Sequence, residues 1–184
     1  MSLTILRDET VPDARLPVAD LARAMRLPEG WDAETGRPTR LAERLRAALS
    51  FVELRCGLAL LARTVEMAGP HRTGSGVPLP AGPVEAVQSV SVDGIPVAGE
   101  DVAVHIADGR WSLGLPSAPF DGAALSVTVR AGYGEWADLP ALLREAVLAV
   151  AEALELGEDP LRSGTVARLL GPWRPVGLGG RAFA

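Results

Sequence analysis

Apolar residues follow two different periods along the chain, which separate helical ends from a strand-rich middle. Between residues 39 and 56 they recur every three or four positions and form one stripe about 120° wide. This stripe consists of Leu41, Leu45, Ala48, Leu49, Val52 and Cys56. Gly57 follows at a position where glycine commonly ends a helix. The pattern predicts a helix over residues 39–56.

Two large apolar residues of this helix, Phe51 and Leu54, lie outside the stripe. One interpretation is that they contact a second surface, such as another subunit. The other is that the helix has a broad core-facing side. The helical period alone favours neither.

A second long helix is predicted over residues 139–156, with Asp138 as its N-cap and Pro140 in its first turn. Its polar residues occupy a sector of only about 100°, and the remaining sector is apolar and rich in alanine. An ordinary surface helix has the opposite balance. This helix should therefore be packed on most sides, either centrally in its subunit or against a neighbour. Shorter helices are predicted over residues 17–26 and 165–170.

Residues 84–131 instead alternate apolar and polar positions, the period of a strand with one buried face. Asp93-Gly94 and Asp108-Gly109 are hairpin turn signals. Three sets of residues should each share a face: Val102, Val104 and Ile106; Trp111, Leu113 and Leu115; Leu125, Val127 and Val129. Residues 58–68 are ambiguous, with strand favoured. The predicted fold class is α+β: a small helical bundle, an antiparallel β meander between the long helices, and an extended C-terminal tail.

Charge is distributed unevenly. The 184 residues carry a net charge of −5, and all 18 basic residues are arginine. Residues 160–184 contain four arginines and no acidic residue, so this tail is +4 and the rest is −9. Such asymmetry is typical of a binding tail. No run reaches the roughly 18 apolar residues of a membrane span, so no membrane association is expected.

Gly132, Gly134 and Ala137 have the G-x-G-x-x-A spacing of a dinucleotide-binding turn. That fold requires a second parallel strand after the helix, followed by an acidic residue. Here the turn follows antiparallel strands and no strand follows the helix. We therefore interpret it as a tight corner from strand to helix, where glycine permits the backbone path.

Other catalytic patterns are missing from the sequence. It has no phosphate-binding loop and no G-x-S-x-G nucleophile motif. Its one cysteine, Cys56, falls on an apolar helix stripe, and its two histidines, His71 and His105, are far apart. The sequence therefore predicts no catalytic site, no cofactor and no metal site, and favours an assembly component over an enzyme.

The order of segments resembles a known family. An extended arm and "LPVADLARAMRLP" precede "LAERLRAALSFVELRCG". The stretch "LPAGPVEAVQSVSVDG" then matches L-P-x-x-P-V-x-x-V-x-S-V-x-x-x-G. "VTVRAGYG", "LPALLREAVLAVAEAL" and "ARLLGPWRPVGLG" follow. This order is similar to that of phage head–tail connector (adaptor) proteins of the gp6-like and phiE125 gp8-like type, including gene-transfer-agent members.

The resemblance implies a non-enzymatic ring, usually of twelve subunits, in the neck of a phage-like particle made in the bacterial cytoplasm. The ring would join the portal to the next neck (stopper) protein, and DNA would pass through it without sequence-specific binding. The alternative is a small nucleic-acid-binding protein that uses the arginine-rich tail. An enzyme with an unrecognised site ranks third.

The chain is accordingly divided into a connector body, residues 1–160, and a partner-docking tail, residues 161–184. The tail is expected to become ordered only on its partner, because a short basic segment buries little surface. The resemblance points to the portal, and the expected contacts are Arg168, Leu169, Leu170, Trp173 and Arg174. Subunit contacts are expected at Phe51, Leu54, Leu142 and Leu148.

Overall fold

The computed structural model describes residues 3–70, 76–107, 110–115 and 122–173. The helices are α1 (Val18–Ala24), α2 (Arg37–Cys56), α3 (Ala141–Leu156) and α4 (Gly164–Leu170). The strands are β1 (Thr4–Asp8), β2 (Arg63–Pro70), β3 (Val77–Pro78), β4 (Val84–Val92), β5 (Ile95–Pro96), β6 (Ala103–Ala107), β7 (Arg110–Gly114) and β8 (Ala124–Ala131). The predicted α+β class is confirmed.

The predicted stripe of α2 is the buried side of the helix: all six of its residues lie in the helical core. Gly57 ends α2 in the left-handed conformation, with φ of 66°. Near the start of α2, Arg40 and Arg44 donate from Nε to Glu155, close to the end of α3, at 3.0 and 3.2 Å. The two long helices therefore pack antiparallel, and α1 and α4 pack against this pair.

Helix α3 begins at Ala141, and Asp138 is not its N-cap, contrary to the prediction. Pro140 occupies that position. Asp138 instead ends a 3-10 turn over residues 136–138, where its carboxylate accepts from the backbone N–H of Glu135 at 2.8 Å. The residue before a proline is disfavoured in helical conformation, so Leu139 is extended and the helix starts after Pro140.

The strands form two antiparallel sheets, in the orders β1-β2-β8-β4-β5 and β3-β7-β6. Among the residues that the structure describes, β4–β5 and β6–β7 are the pairs of consecutive strands that form hairpins, and β8 lies at the centre between β2 and β4. Asp93 and Gly94 both have positive φ, as the predicted Asp-Gly turn requires. The predicted turn at Asp108-Gly109 lies outside the described residues. In the ambiguous segment, β2 begins only at Arg63.

Burial in the sheets follows the predicted alternation on the central strand and departs from it on an edge strand. Leu125, Val127 and Val129 of β8 are buried. Val104 and Ile106 of β6 were expected in the core, but Ile106 is 60% exposed. The reason is topological: β6 is the outer strand of the small sheet, and the core is reached mainly by its neighbour β7, through Leu113.

The sheets and the helices have separate cores, joined at the corner after β8. Gly132 has φ of 128°, and a Cβ there would lie 2.5 Å from the backbone of Ala62. Its N–H donates to the carbonyl of Pro83 at 2.8 Å, and the N–H of Tyr133 donates to that of Leu60 at 2.9 Å. The glycines thus form the predicted strand-to-helix corner.

The variant Gly132→Ala should lower the free energy of unfolding by about 2–4 kcal/mol, because it combines an unfavourable φ with overlap against backbone. Gly157→Ala is the matched control, since Gly157 also has positive φ but open space around it. Urea denaturation of both variants tests this. Equal losses of stability would mean that the close approach at Gly132 is unimportant.

Candidate assembly interface

The N-terminal arm, residues 3–16, is held on the body by a buried arginine. Arg63, at the start of β2, is only 8% exposed. Its Nη2 donates to Asp8 of the arm at 2.9 Å and its Nη1 to Glu53 of α2 at 2.7 Å. Burial opposes the charge of Arg63, but the hydrogen bonds and charges of both carboxylates outweigh it and raise its pKa. The cation therefore joins the arm, the sheet and α2.

A second arginine fixes the end of the arm to the corner. Arg15 donates to the carbonyl of Ala62 at 2.8 Å and to that of Gly134 at 3.1 Å. Its Nε also donates to Glu135 at 3.0 Å. The Gly134 carbonyl also accepts from the N–H of Ala62 at 2.8 Å, so Arg15 bridges two residues that are already bonded to each other at the corner. Arg15 therefore holds the arm against the corner from which α3 begins.

Helix α2 presents its most exposed apolar side chain away from the core. Leu54 is 87% exposed and lies about 200° around the helix from the buried Val52. Phe51 is half-buried and packs partly on the helical core. The guanidinium of Arg55 lies 5.7 Å from the centre of the Phe51 ring. The interpretation of a broad core-facing side therefore explains the partial burial of Phe51. It does not explain Leu54, which faces away from the core.

The two α3 residues predicted at a subunit interface are placed differently. Leu142 is 46% exposed, on the outer side of the first turn. Leu148 is half-buried, and it both packs on the helical core and lines a surface cleft. Helix α3 is therefore not enclosed by its own subunit, and part of its predicted apolar sector faces outward.

This cleft, which we name the α1–α3 cleft, has a volume of about 400 Å³. Its apolar lining is contributed by Ala24, Trp136, Ala141 and Leu148, and its charged lining by Asp20, Arg23, Arg144 and Glu145. The Nε1 of Trp136 donates to Asp20 at 2.8 Å, which fixes the indole between the two helices. Sequence analysis did not find this cleft, because its walls come from segments more than 100 residues apart.

The first part of the predicted docking tail packs on its own subunit. Leu170 is fully buried against the helical core together with Val166. Trp173 packs beside them and meets Tyr133 edge-on, with ring centroids 6.4 Å apart. The expectation that residues from 161 onward become ordered only on a partner is thus wrong for residues 161–173. Leu170 in particular is inaccessible to a partner.

A local signal explains this packing. Ser163 caps α4 by accepting from the N–H of Val166 at 3.3 Å. Val166 and Leu170, four residues apart, then face α3 together. Of the other predicted docking residues, Arg168 is exposed and Leu169 is half-buried, while Arg174 lies outside the described residues.

The potentially reactive residues Cys56 and His105 lie in different parts of the fold, one in a helix and one in a strand. Cys56 is buried in the helical core. The pKa of Tyr133 is raised by the burial of its own side chain and, to a smaller extent, by the electrostatic effect of Cys56. His105 is exposed on β6. Within the described ranges, no three His, Cys, Asp or Glu side chains are grouped to hold a metal ion. None of the helices described is both long and apolar enough to cross a membrane.

Comparison with solved structures identifies the family. A chain from the neck of an empty gene-transfer-agent (GTA) particle, computed with C6 symmetry, is 31% identical. The match covers 99% of this chain and 100% of that chain, with a TM-score of 0.78. This chain belongs to the GTA neck protein family. The family resemblance and the particle-neck location inferred from the sequence are thereby confirmed.

Two further structures of GTA particles agree with this assignment. A chain from the virion of a native GTA particle is 28% identical over 98% of this chain and 99% of its own length, with a TM-score of 0.78. A chain from the neck of a native GTA particle, computed with C12 symmetry, is 28% identical. The match covers 99% of this chain and 100% of that chain, with a TM-score of 0.74. No family model and no curated protein matches the chain. Two of the three matched chains come from particle necks computed with cyclic symmetry, C6 and C12.

Proposed function

We propose that this GTA neck protein is the adaptor subunit that joins the capsid portal to the next neck protein. Twelve copies form a ring, and DNA passes through it. The observation that carries the proposal is the full-length match to chains from GTA necks, one of which was computed with C12 symmetry. The hydrogen bonds that join the arm, the corner and α2 support the fixed subunit shape that a ring requires.

Subunit contacts in this ring are made by the exposed apolar side chains of the two long helices. Their own subunit leaves four of these side chains wholly or partly accessible. Leu54 and Leu142 are exposed, and Phe51 and Leu148 are half-buried. Large apolar groups exposed on a helical body are favourable sites for burial by a neighbour. The helices thus serve two roles, with one side in the subunit core and the other in the ring.

The charge distribution suits a DNA channel. Residues 1–159 carry a net charge of −9, obtained by subtracting the +4 of residues 160–184 from the total of −5. Phosphate affinity depends on basic residues that replace counterions. An acidic ring body therefore lets DNA pass without retaining it.

Portal docking is assigned to the end of the chain. Because Leu170 and Trp173 pack inside the subunit, the docking segment consists of residues 174–184, with Arg168 and Leu169 as exposed or half-buried neighbours. Residues 174–184 contain Arg174, Arg181, Leu178 and Phe183. Basic and apolar side chains in one short segment can bind a portal surface of opposite charge.

Deletion of residues 174–184 should leave the fold intact and abolish joining to portal-bearing capsids. The reason is that the deletion removes the docking segment while preserving the residues that pack on α3. Co-sedimentation with tailless capsids measures joining, and urea denaturation measures folding. Arg162→Ala is the control, because Arg162 is exposed and outside the docking segment. Full-strength joining by the shortened protein would contradict portal docking, and a selective loss of DNA binding would favour the nucleic-acid-binding alternative.

A further inference from the structure

A closed ring with cyclic symmetry requires each subunit to present two unlike, complementary surfaces. One surface must meet the other surface of the next subunit, so that the interface repeats around the ring. Among the described residues, the outer side of α2 and the α1–α3 cleft have the matching properties. The first carries a highly exposed leucine, and the second is a recess partly lined by apolar side chains.

The protruding surface is centred on Leu54. Its neighbours on the outer side of α2 are Glu43, Ala47 and Ser50, at spacings of eleven, seven and four residues, and all are exposed. Ala47 and Ser50 are small, so they allow another helix to approach closely. Leu54 is therefore larger than the residues one and two turns before it on this side of α2. Arg55 beside it supplies a positive charge.

The receiving surface is the α1–α3 cleft. Its small residues, Ala24 and Ala141, leave room for an incoming side chain, and Trp136 and Leu148 provide apolar contact. Asp20 already bonds to Trp136 and to Arg23, so it is satisfied within the subunit. Glu145 is exposed at the edge of the cleft and carries the charge opposite to that of Arg55. The charged lining is balanced overall, with Asp20 and Glu145 against Arg23 and Arg144, so the match to the α2 surface consists of the recess, its apolar side chains and the single Arg55–Glu145 pair.

We infer that Leu54 of each subunit inserts into the α1–α3 cleft of the next subunit, with Arg55 beside Glu145. This inference rests on the proposed ring and specifies its geometry. It also assigns the predicted contacts to two sides: Phe51 and Leu54 belong to the inserting side, and Leu148 belongs to the receiving side. Leu142 does not line the cleft, so this contact leaves it unassigned.

Cross-linking in assembled particles tests the inference. In a Cys56→Ala background, Leu54→Cys and Ala141→Cys are introduced together and treated with a short bismaleimide. Denaturing gels should then show a ladder of multimers up to the full ring, because each subunit carries both halves of the link. Leu54→Cys alone and Ala141→Cys alone are the controls and should give monomers.

The outcomes separate this inference from the proposed function. If the double variant is present in purified necks but gives no ladder, the Leu54–cleft contact is wrong while the neck role stands. A link from Leu54→Cys to a different protein, or dimers from that variant alone, would also overturn the inference. Absence of the unmodified chain from particle necks would instead contradict the proposed function.

Competition for incorporation gives a second test. When Leu54→Asp is co-expressed with the unmodified chain, its share of the neck should fall about tenfold, the ratio that 1.4 kcal/mol produces at one contact. Leu161→Asp is the matched control, since Leu161 is an exposed leucine outside both surfaces. Unchanged thermal denaturation of both variants shows that folding is retained. Equal incorporation of the two variants would overturn the inference.

Discussion

Replacing Arg63 with alanine should lower the free energy of unfolding by about 3–5 kcal/mol, as expected when one member of a buried ion pair is removed. The substitution leaves Glu53, which is largely buried, without its cationic partner. Asp8 is more exposed, so water compensates for part of its loss. The arm then remains attached by its strand pairing, by Arg15 and by other contacts. These are the hydrogen bond from the Thr64 N–H to Glu9, the ion pairs of Arg7 with Glu66 and of Asp13 with Arg46, and the packing of Leu3 and Leu16 in the two cores.

Urea denaturation measures the loss, and limited trypsin digestion at Arg7 reports release of the arm. Arg7→Ala is the control for stability, because Arg7 belongs to the same arm but pairs with Glu66 at 4.0 Å on the exposed surface. Such pairs contribute at most about 1 kcal/mol. If Arg63→Ala is no more destabilising than Arg7→Ala, the buried network does not hold the arm.

This network was not predictable from the sequence. Its members, Asp8, Glu53 and Arg63, lie on the arm, α2 and β2, and their order along the chain gives no indication that they meet. The α1–α3 cleft was missed for the same reason. Both depend on how separate elements pack, and a hydrophobic pattern describes only one element at a time.

Features encoded within one element were predicted well. The buried side of α2, its end at Gly57 and the alternation on β8 each depend on local spacing and appear as expected. The prediction that Ile106 is buried was wrong because β6 is an edge strand. Its residues alternate in the same way, but their exposure depends on which elements pack beside the strand. The prediction of Asp138 as the N-cap was wrong because Asp138 belongs to the 3-10 turn before the helix. Pro140 occupies the N-cap position of α3 instead.

The short helix predicted over residues 165–170 is confirmed as α4, but its packing on the body was not predicted, because the composition of the tail indicated an exposed segment. Four arginines and several glycines dominate residues 160–184 and are typical of a segment that buries little surface. Yet Ser163 caps a helix whose Val166 and Leu170 share one face, and two such residues suffice to dock a short helix on α3. The boundary between folded body and partner-docking segment is therefore better placed after Trp173 than at residue 160.

Truncation after Pro160 should consequently unfold much of the protein, because it removes both buried residues of α4 and the indole that packs beside Tyr133. Replacing one buried leucine with alanine lowers the free energy of unfolding by about 2–5 kcal/mol. Removal of several such groups approaches the total stability of a typical domain, about 5–15 kcal/mol. The exposed inner side of α3 should then bind a hydrophobic dye and promote aggregation.

Truncation after Trp173 is the matched control and should denature at the same urea concentration as the full chain. Two point variants refine the comparison: Leu170→Ala should lose about 2–5 kcal/mol, whereas Leu169→Ala, which is half-buried, should lose less. A protein ending at Pro160 that remains as stable as the full chain would show that α4 contributes nothing to the core. In that case the whole segment from residue 161, and not only its last eleven residues, would be free to act as the docking tail.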